Sequence, residues 1–179
     1  MMTNPSLRVP SLIILVGPPG SGKSTWAKQN GRGAVHVSQD DQIDAISPDG
    51  FDHIYRPVYR AAEDAIAREA LQQGHTVLVD RTNRTRAHRH RWLEIAREAD
   101  CPVVAITMRA SFSLCRERNR QRQDQRRLSE ERMARMIAAF EPVRPDEGFT
   151  AIFDDSASLA EILESLRRET IHEYCDEAR

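Results

Sequence analysis

The sequence predicts an α/β fold of three layers, α/β/α, built on a five-stranded parallel sheet. Three observations carry that prediction. Short apolar runs, of the length and composition of buried parallel strands, alternate along the chain with longer helical segments. The first run leads into Gly17-Pro18-Pro19-Gly20-Ser21-Gly22-Lys23-Ser24-Thr25. That stretch fits G-x-x-x-x-G-K-[ST], the phosphate-binding P-loop, in its strand–loop–helix setting. The length of 179 residues suits one compact domain that buries well over half of its unfolded surface.

The strands are expected at Leu12–Val16, Ala34–Ser38, Thr76–Val79, Val103–Met108 and Thr150–Phe153. Helices are expected at Lys23–Gln29, Pro57–Gln73, Thr85–Ala99, Ser111–Gln123, Ser129–Phe140 and Ser158–Arg168. Pro57 suits a first helical turn, where its missing N–H costs nothing. Gly74 follows the second helix as a stop, and Ser158 with Glu161 makes a capping box. Glu130 and Glu131 open the Ser129 helix, where negative charge favours the helix dipole. Residues 47–54 read as a loop and 170–179 as a frayed or packed tail. No repeat, low-complexity linker or second domain interrupts the chain. Residues 1–179 are therefore expected to form one domain, with a core over about 11–168 and an arginine-rich helical lid over about 111–140.

Each part of the Gly17–Thr25 loop has a physical job. Its glycines let successive backbone N–H groups point inward around phosphate oxygens, and the following helix N-terminus adds about half a positive charge. Lys23 is expected to reach the β- and γ-phosphates and the Ser24 hydroxyl to bind Mg²⁺, with Thr25 supporting the loop. A chance glycine-rich turn would lack the flanking strand and helix. The loop therefore implies a nucleoside triphosphate.

Composition narrows the class further. The longest apolar run is too short to span a membrane, and the first ten residues lack the apolar region of a signal peptide. Cys101, Cys115 and Cys175 are far apart and form no C-x-x-C pair, which points to reduced thiols in a cytoplasmic protein without a zinc site. His88 and His90 belong to no H-E-x-x-H pattern and suit a solvated helix face.

The formal net charge of −1 conceals a polarity along the chain. Arg81 to Arg91 holds five arginines and no acid, and Arg109 to Arg135 holds nine arginines against four acids. From Asp146 onward there are ten acids and three arginines. A basic stripe beside a nucleotide site suits polyanionic ligands.

Ligands of such folds sit at the carboxyl ends of the strands. The second strand ends in Ser38-Gln39-Asp40-Asp41 and the third in Asp80-Arg81-Thr82-Asn83. An acid after an apolar strand can serve Mg²⁺ directly or through water. One at the end of the second strand can take an acceptor's proton or cap the following helix. The two roles are assigned one to each residue, Asp40 as the base and Asp41 as the cap. Arg118, Arg122 and Arg126 recur at i, i+4 and i+8, so one helix face carries all three, while Arg116 and Arg120 share another. A lid that neutralises a transferring phosphoryl group needs such arginines, although a solvated charged helix would show them too.

At this point a resemblance emerges. The P-loop with Thr25-Trp26-Ala27, Ser38-Gln39-Asp40-Asp41, Asp80-Arg81-Thr82-Asn83, Glu117-Arg118-Asn119 with Arg122, and Phe140-Glu141-Pro142 leading to Glu147-Gly148-Phe149 occur in that order. Over roughly residues 11–155 the chain resembles the kinase module of polynucleotide 5′-hydroxyl kinases, of the P-loop AAA/zeta-toxin-like kinase group. The resemblance implies ATP and Mg²⁺ as cofactors and a nucleic acid 5′-hydroxyl end, of DNA or RNA, as acceptor. It implies Asp40 as the base, Lys23 and Ser24 for the triphosphate and Mg²⁺, and Arg118, Arg122 and Arg126 over ATP. Asp80, Arg81 and Asn83 would face the acceptor or orient its partners. Ile43 stands where many members carry an arginine that grips the acceptor's phosphate, and Gln39 where an arginine often precedes the base. Arg56, Arg60 or the 81–91 cluster would then supply that contact, or the acceptor would not be a nucleic acid.

The expected activity is transfer of the γ-phosphate of ATP to a 5′-hydroxyl end. The alternatives are a small-molecule kinase of the gluconate, antibiotic or zeta-toxin type, and an NTP-hydrolysing regulatory module without an acceptor. The sequence leaves the oligomeric state open.

Overall fold

The computed structural model describes residues 9–47, 49–122 and 127–177, with side chains to residue 168. Its centre is a parallel five-stranded sheet in the order β2-β3-β1-β4-β5. The strands are β1 (Leu12–Val16), β2 (Val35–Ser38), β3 (Val77–Asp80), β4 (Val103–Thr107) and β5 (Ala151–Asp154). All lie within two residues of their expected bounds. β1 is the middle strand, and all five of its side chains are buried. Leu12, Ile14 and Val16 pack with Ala67, Leu71, Trp92 and Ile95, whereas Ile13 and Leu15 pack with Trp26, Ala27, Ile162 and Leu166. The alternation of side chains along a strand thus assigns one helical layer to each face.

The first layer consists of α3 (Arg56–Gln72) and α4 (Arg86–Glu98), the second of α1 (Lys23–Asn30) and α7 (Leu159–Glu177). Trp26 Nε1 donates to the Ala157 carbonyl at 3.1 Å and ties α1 to the start of α7. Ser158 and Glu161 form the expected capping box, with Ser158 N donating to Glu161 Oε2 at 2.7 Å. α7 continues to Glu177, so its last turns are helical where the sequence suggested a tail.

A further helix, α2 (Gln39–Ile46), directly follows β2. Its N-cap is Ser38, whose Oγ accepts from Asp41 N at 3.3 Å. This corrects the expectation that Asp41 is the cap: both aspartates lie inside the first turn, where they favour the dipole. The arginine-rich region divides into α5 (Phe112–Arg120) and α6 (Glu130–Ala138). α5 stops at Arg120, earlier than Gln123, so Arg122 lies just past its end and does not extend the helix face begun by Arg118. Arg126 lies outside the described residues. Asn119, buried, donates to Leu128 O at 2.8 Å and accepts from Leu128 N at 3.1 Å, which fixes where the chain leaves α5 and approaches α6.

The 81–91 arginines mostly serve the fold. Arg89 is fully buried and gives Nε and Nη2 to Glu147 at 2.7 and 2.6 Å. Its remaining N–H groups reach the carbonyls of Asn83, Glu141 and Pro142. All five guanidinium donors are used, which joins α4 to the 141–147 segment. Arg86 pairs with Asp146. Arg81 and Arg91 both pair with Glu63, which is fully buried on α3, and Arg91 also reaches Asp64 at 2.5 Å. The 81–91 part of the expected basic stripe is therefore largely paired with acids. Removing one partner of the Arg89–Glu147 pair strands the other charge in the interior, a loss of about 3–5 kcal/mol. Glu147→Ala is expected to lower the thermal midpoint by roughly 10 °C, read by calorimetry.

Candidate active site

The P-loop emerges from the carboxyl end of β1, where the chain order of the sheet reverses: β1 lies between β3 and β4. Gly17 N donates to Thr82 O at 3.1 Å, so the end of β3 holds the loop's entry. Gly20 has φ 81°, and a Cβ there would stand 2.5 Å from the Cys115 carbonyl of α5. Only glycine lets α5 pack this closely on the loop. Gly22, at φ 106°, caps α1 in the left-handed region and turns the chain into the helix.

Lys23 is only 8% exposed. Its ammonium donates to the carbonyls of Gly17 and Pro18, both at 2.9 Å, and to Ser21 Oγ at 3.4 Å. Burial lowers its pKa to about 8; Asp80 opposes the shift, Arg122 adds to it, and Asp40 opposes it weakly. Both candidate carboxylates therefore act electrostatically on the lysine. Arg118 Nη1 donates to Gly20 O at 3.3 Å across the loop.

The P-loop and the end of the α5 region border an open cavity of about 470 Å³. Gly20, Ser21, Gly22, Lys23, Ser24 and Thr25 line it from one side, and Arg118 and Arg122 from the other. Of the expected phosphate-side residues, Gly20 to Thr25, Arg118 and Arg122 line the cavity, while the Gly17 and Pro18 carbonyls hold the lysine; Arg126 lies outside the described residues. Trp26, Gln29, Met108 and Asp155 also line the cavity, and the sequence reading missed them. Asp155 follows β5 immediately, so the carboxyl-end rule that selected Asp40 and Asp80 would have selected it too. It accepts from Arg109 Nε at 2.6 Å.

The carboxylate side lies beyond the lysine. Asp40 is exposed in the first turn of α2 and has no hydrogen-bond partner among the described residues. Asp80 ends β3 in register with Ser38, with its side chain only 7% exposed. His36 bridges the neighbours, with Nε2 3.8 Å from Asp80 and Nδ1 3.9 Å from Asp41. Two residues expected on the acceptor side make contacts within the fold. Asn83 is buried at φ 43°, gives its amide N–H to Leu15 O at 2.8 Å and accepts from Trp92 Nε1 at 3.0 Å. Arg81 is turned toward Glu63. Asn83 thus ties the end of β1 to α4, and the Arg81 guanidinium is paired with a carboxylate of α3.

The AAA domain family model (AAA_33) matches residues 12–143. The bifunctional polynucleotide phosphatase/kinase of Schizosaccharomyces pombe is 29% identical over 146 residues, spanning 79% of this chain and 32% of that protein. The L-seryl-tRNA(Sec) kinase of Methanococcus maripaludis is 33% identical over 116 residues, spanning 62% of this chain and 46% of that protein. The chain therefore spans between about a third and a half of the length of these relatives. A gluconokinase from Sinorhizobium meliloti 1021 shares the fold at a TM-score of 0.59 and 21% identity, over 93% of this chain and 98% of that one. Matched over most of its length, and with the fold of the P-loop kinases, the chain belongs to the AAA domain family.

Proposed function

We propose that the chain is an ATP-dependent phosphotransferase acting on the 5′-hydroxyl end of DNA or RNA. The observation that carries this reading is Asp40, a carboxylate at the carboxyl end of β2 that is unpaired among the described residues and within the electrostatic reach of the P-loop lysine. A regulatory NTPase has no need of such a group. The similarity to a polynucleotide phosphatase/kinase supports the choice of acceptor.

The cradle fits a triphosphate in its left-handed glycines, its buried ammonium and the two lid arginines at its mouth. Asp40 would accept the proton of the acceptor hydroxyl as that oxygen bonds to the γ-phosphorus and the bond to the ADP oxygen breaks. Lys23, Arg118 and Arg122 would neutralise charge on the phosphoryl oxygens. Mg²⁺, held by the Ser24 hydroxyl and the nucleotide's own phosphates, would supply further neutralisation of the β- and γ-oxygens. Asp80, which acts electrostatically on Lys23, would help to orient the lysine and the acceptor end.

Incubation with γ-labelled ATP and a panel of 5′-hydroxyl oligonucleotides, nucleoside 3′-phosphates and sugars tests the reading. Label on oligonucleotide ends is expected. Label on sugars alone would favour the gluconate type, with which the fold is shared along nearly the whole chain. Hydrolysis without any acceptor would favour the regulatory module.

Arg118 and Arg122 supply a second test. Replacing both by alanine is expected to lower turnover by about 10²- to 10³-fold while the thermal midpoint barely moves, because both are exposed. Arg167 and Arg168, exposed on α7 beside Glu164, are the control pair and are expected to leave turnover unchanged.

A further inference from the structure

Six large hydrophobic side chains are exposed among the described residues, and four of them, Phe51, Ile54, Tyr55 and Val58, fall within eight positions. This segment joins α2 to α3 and contains a short 3-10 turn, His53–Tyr55. Tyr59, buried beneath it, shares a hydrogen bond of 2.6 Å with Ser47 Oγ and accepts from Asp52 N at 3.3 Å. The Phe51 and Tyr55 rings pack on Tyr59 at centroid distances of 5.7 and 6.5 Å, and both remain partly open to solvent.

Its place in the fold gives the shelf a neighbour. α3 has 17 residues, about 26 Å of helix, against about 13 Å for the four-residue strands it covers. Its C-terminal half packs on the sheet, so its first two turns overhang the carboxyl edge where Asp40 and Asp80 lie. The overhang carries cations. Arg56 stands over the Phe51 ring at 6.0 Å, and neither Arg56 nor Arg60 is in an ion pair among the described residues. Arg84, two residues before α4, has its Nε buried and unpartnered. Burial, followed by the charges of Arg84, Arg81 and Arg60, depresses the pKa of His88, so all three arginines act on this residue of α4. Of the two acids in the shelf segment, Asp52 is spent capping the 3-10 turn and Asp49 is exposed.

Resting on the 5′-hydroxyl reading above, we infer that Phe51 and Tyr55 form a stacking shelf for single-stranded nucleic acid, with Arg56, Arg60 and Arg84 tracking its phosphates. Aromatic faces interleaved with arginines hold single strands with little regard to sequence. The shelf supplies the acceptor grip that Ile43, an aliphatic side chain on α2, does not. A protein partner would meet the same apolar faces, but it would find free cations beside them rather than a neutral rim.

The test is equilibrium binding of a 3′-fluorescein-labelled, 5′-hydroxyl oligothymidylate of about ten nucleotides, within the usual span of such sites. The Phe51→Ala/Tyr55→Ala variant is expected to bind about tenfold more weakly or worse, with KM for that acceptor rising in step and kcat changing far less. Phe51→Leu/Tyr55→Leu is expected to be as weak, because leucine keeps the apolar surface without the ring face. Phe51→Tyr/Tyr55→Phe is expected to bind like the parent. Equal affinity in the parent and the alanine variant, or full affinity in the leucine variant, overturns the shelf, as does an absence of oligonucleotide binding by the parent. Oligonucleotide binding that depends on the rings, without phosphate transfer to any acceptor, keeps the shelf and discards the 5′-kinase reading. Transfer with a KM indifferent to the rings does the reverse.

Discussion

Lys23→Ala is expected to lower phosphate transfer by about 10²-fold or more while the ligand-free protein melts no lower than its parent. The loss follows from the lysine's place among the groups that meet developing phosphoryl charge. The stability half follows from its burial. A lysine that contributed only to ligand binding would be exposed in the free protein, but this one is 8% exposed with its ammonium on two loop carbonyls. Its folded pKa of about 8 lies below the ordinary 10.5, so folding disfavours the charged form. That penalty is complete below pH 8, shrinks between 8 and 10.5, and is absent above. Removing the ammonium relieves it at neutral pH, which offsets the lost hydrogen bonds to Gly17 and Pro18. The same displacement sets a pH dependence. ATP affinity of the parent is expected to fall as pH rises through about 8, where the free protein loses the cation, and to be flatter in the variant. Nucleotide titrations from pH 6.5 to 9.5, with melting curves at each pH, read both effects. Parental turnover in Lys23→Ala would remove the phosphotransferase reading altogether.

The strands were legible because a buried parallel sheet writes itself as short apolar runs, and the P-loop because its glycines, lysine and hydroxyl stand at fixed spacing. The arginines were not legible in the same way. Arg89 and Arg84 look alike in sequence, yet one has all five donors satisfied in the interior and the other has a buried Nε without a partner. The difference lies in Glu141, Pro142 and Glu147, more than fifty positions away, which only the tertiary fold delivers. Asn83 shows a related dependence on tertiary structure. Its position after β3 suggested the acceptor, but its left-handed backbone and two buried hydrogen bonds bind β1 to α4. Ser38 was passed over as a cap because two aspartates follow it, and aspartate is an equally good cap by residue type. Arg122 was placed on a helix that ends two residues before it, yet it reaches the cavity from the turn beyond.

The two aspartates of α2 allow the sharpest separation of catalysis from structure. Asp40→Asn is expected to leave ATP affinity intact and to lower transfer by about 10³-fold, since an amide cannot take the acceptor's proton. Asp41→Asn is expected to keep transfer within about threefold of the parent, because Ser38 supplies the cap and Asp41 faces solvent near His36. Both residues sit in the first turn, so each substitution removes one favourable dipole interaction, about 0.3–1 kcal/mol, and the two variants should melt alike. Stability therefore cannot account for a difference in turnover between them. Nucleotide binding adds a second control, because Asp40 acts on Lys23 only as a minor opposing charge. Single-turnover transfer to a 5′-hydroxyl oligonucleotide, with nucleotide affinity and melting measured on the same preparations, makes the comparison. Loss of transfer in Asp41→Asn with an active Asp40→Asn would place the base one residue later, on the carboxylate that His36 faces. Equal activity in both would move the proton acceptor to Asp80, the remaining carboxylate at this edge that acts on the lysine.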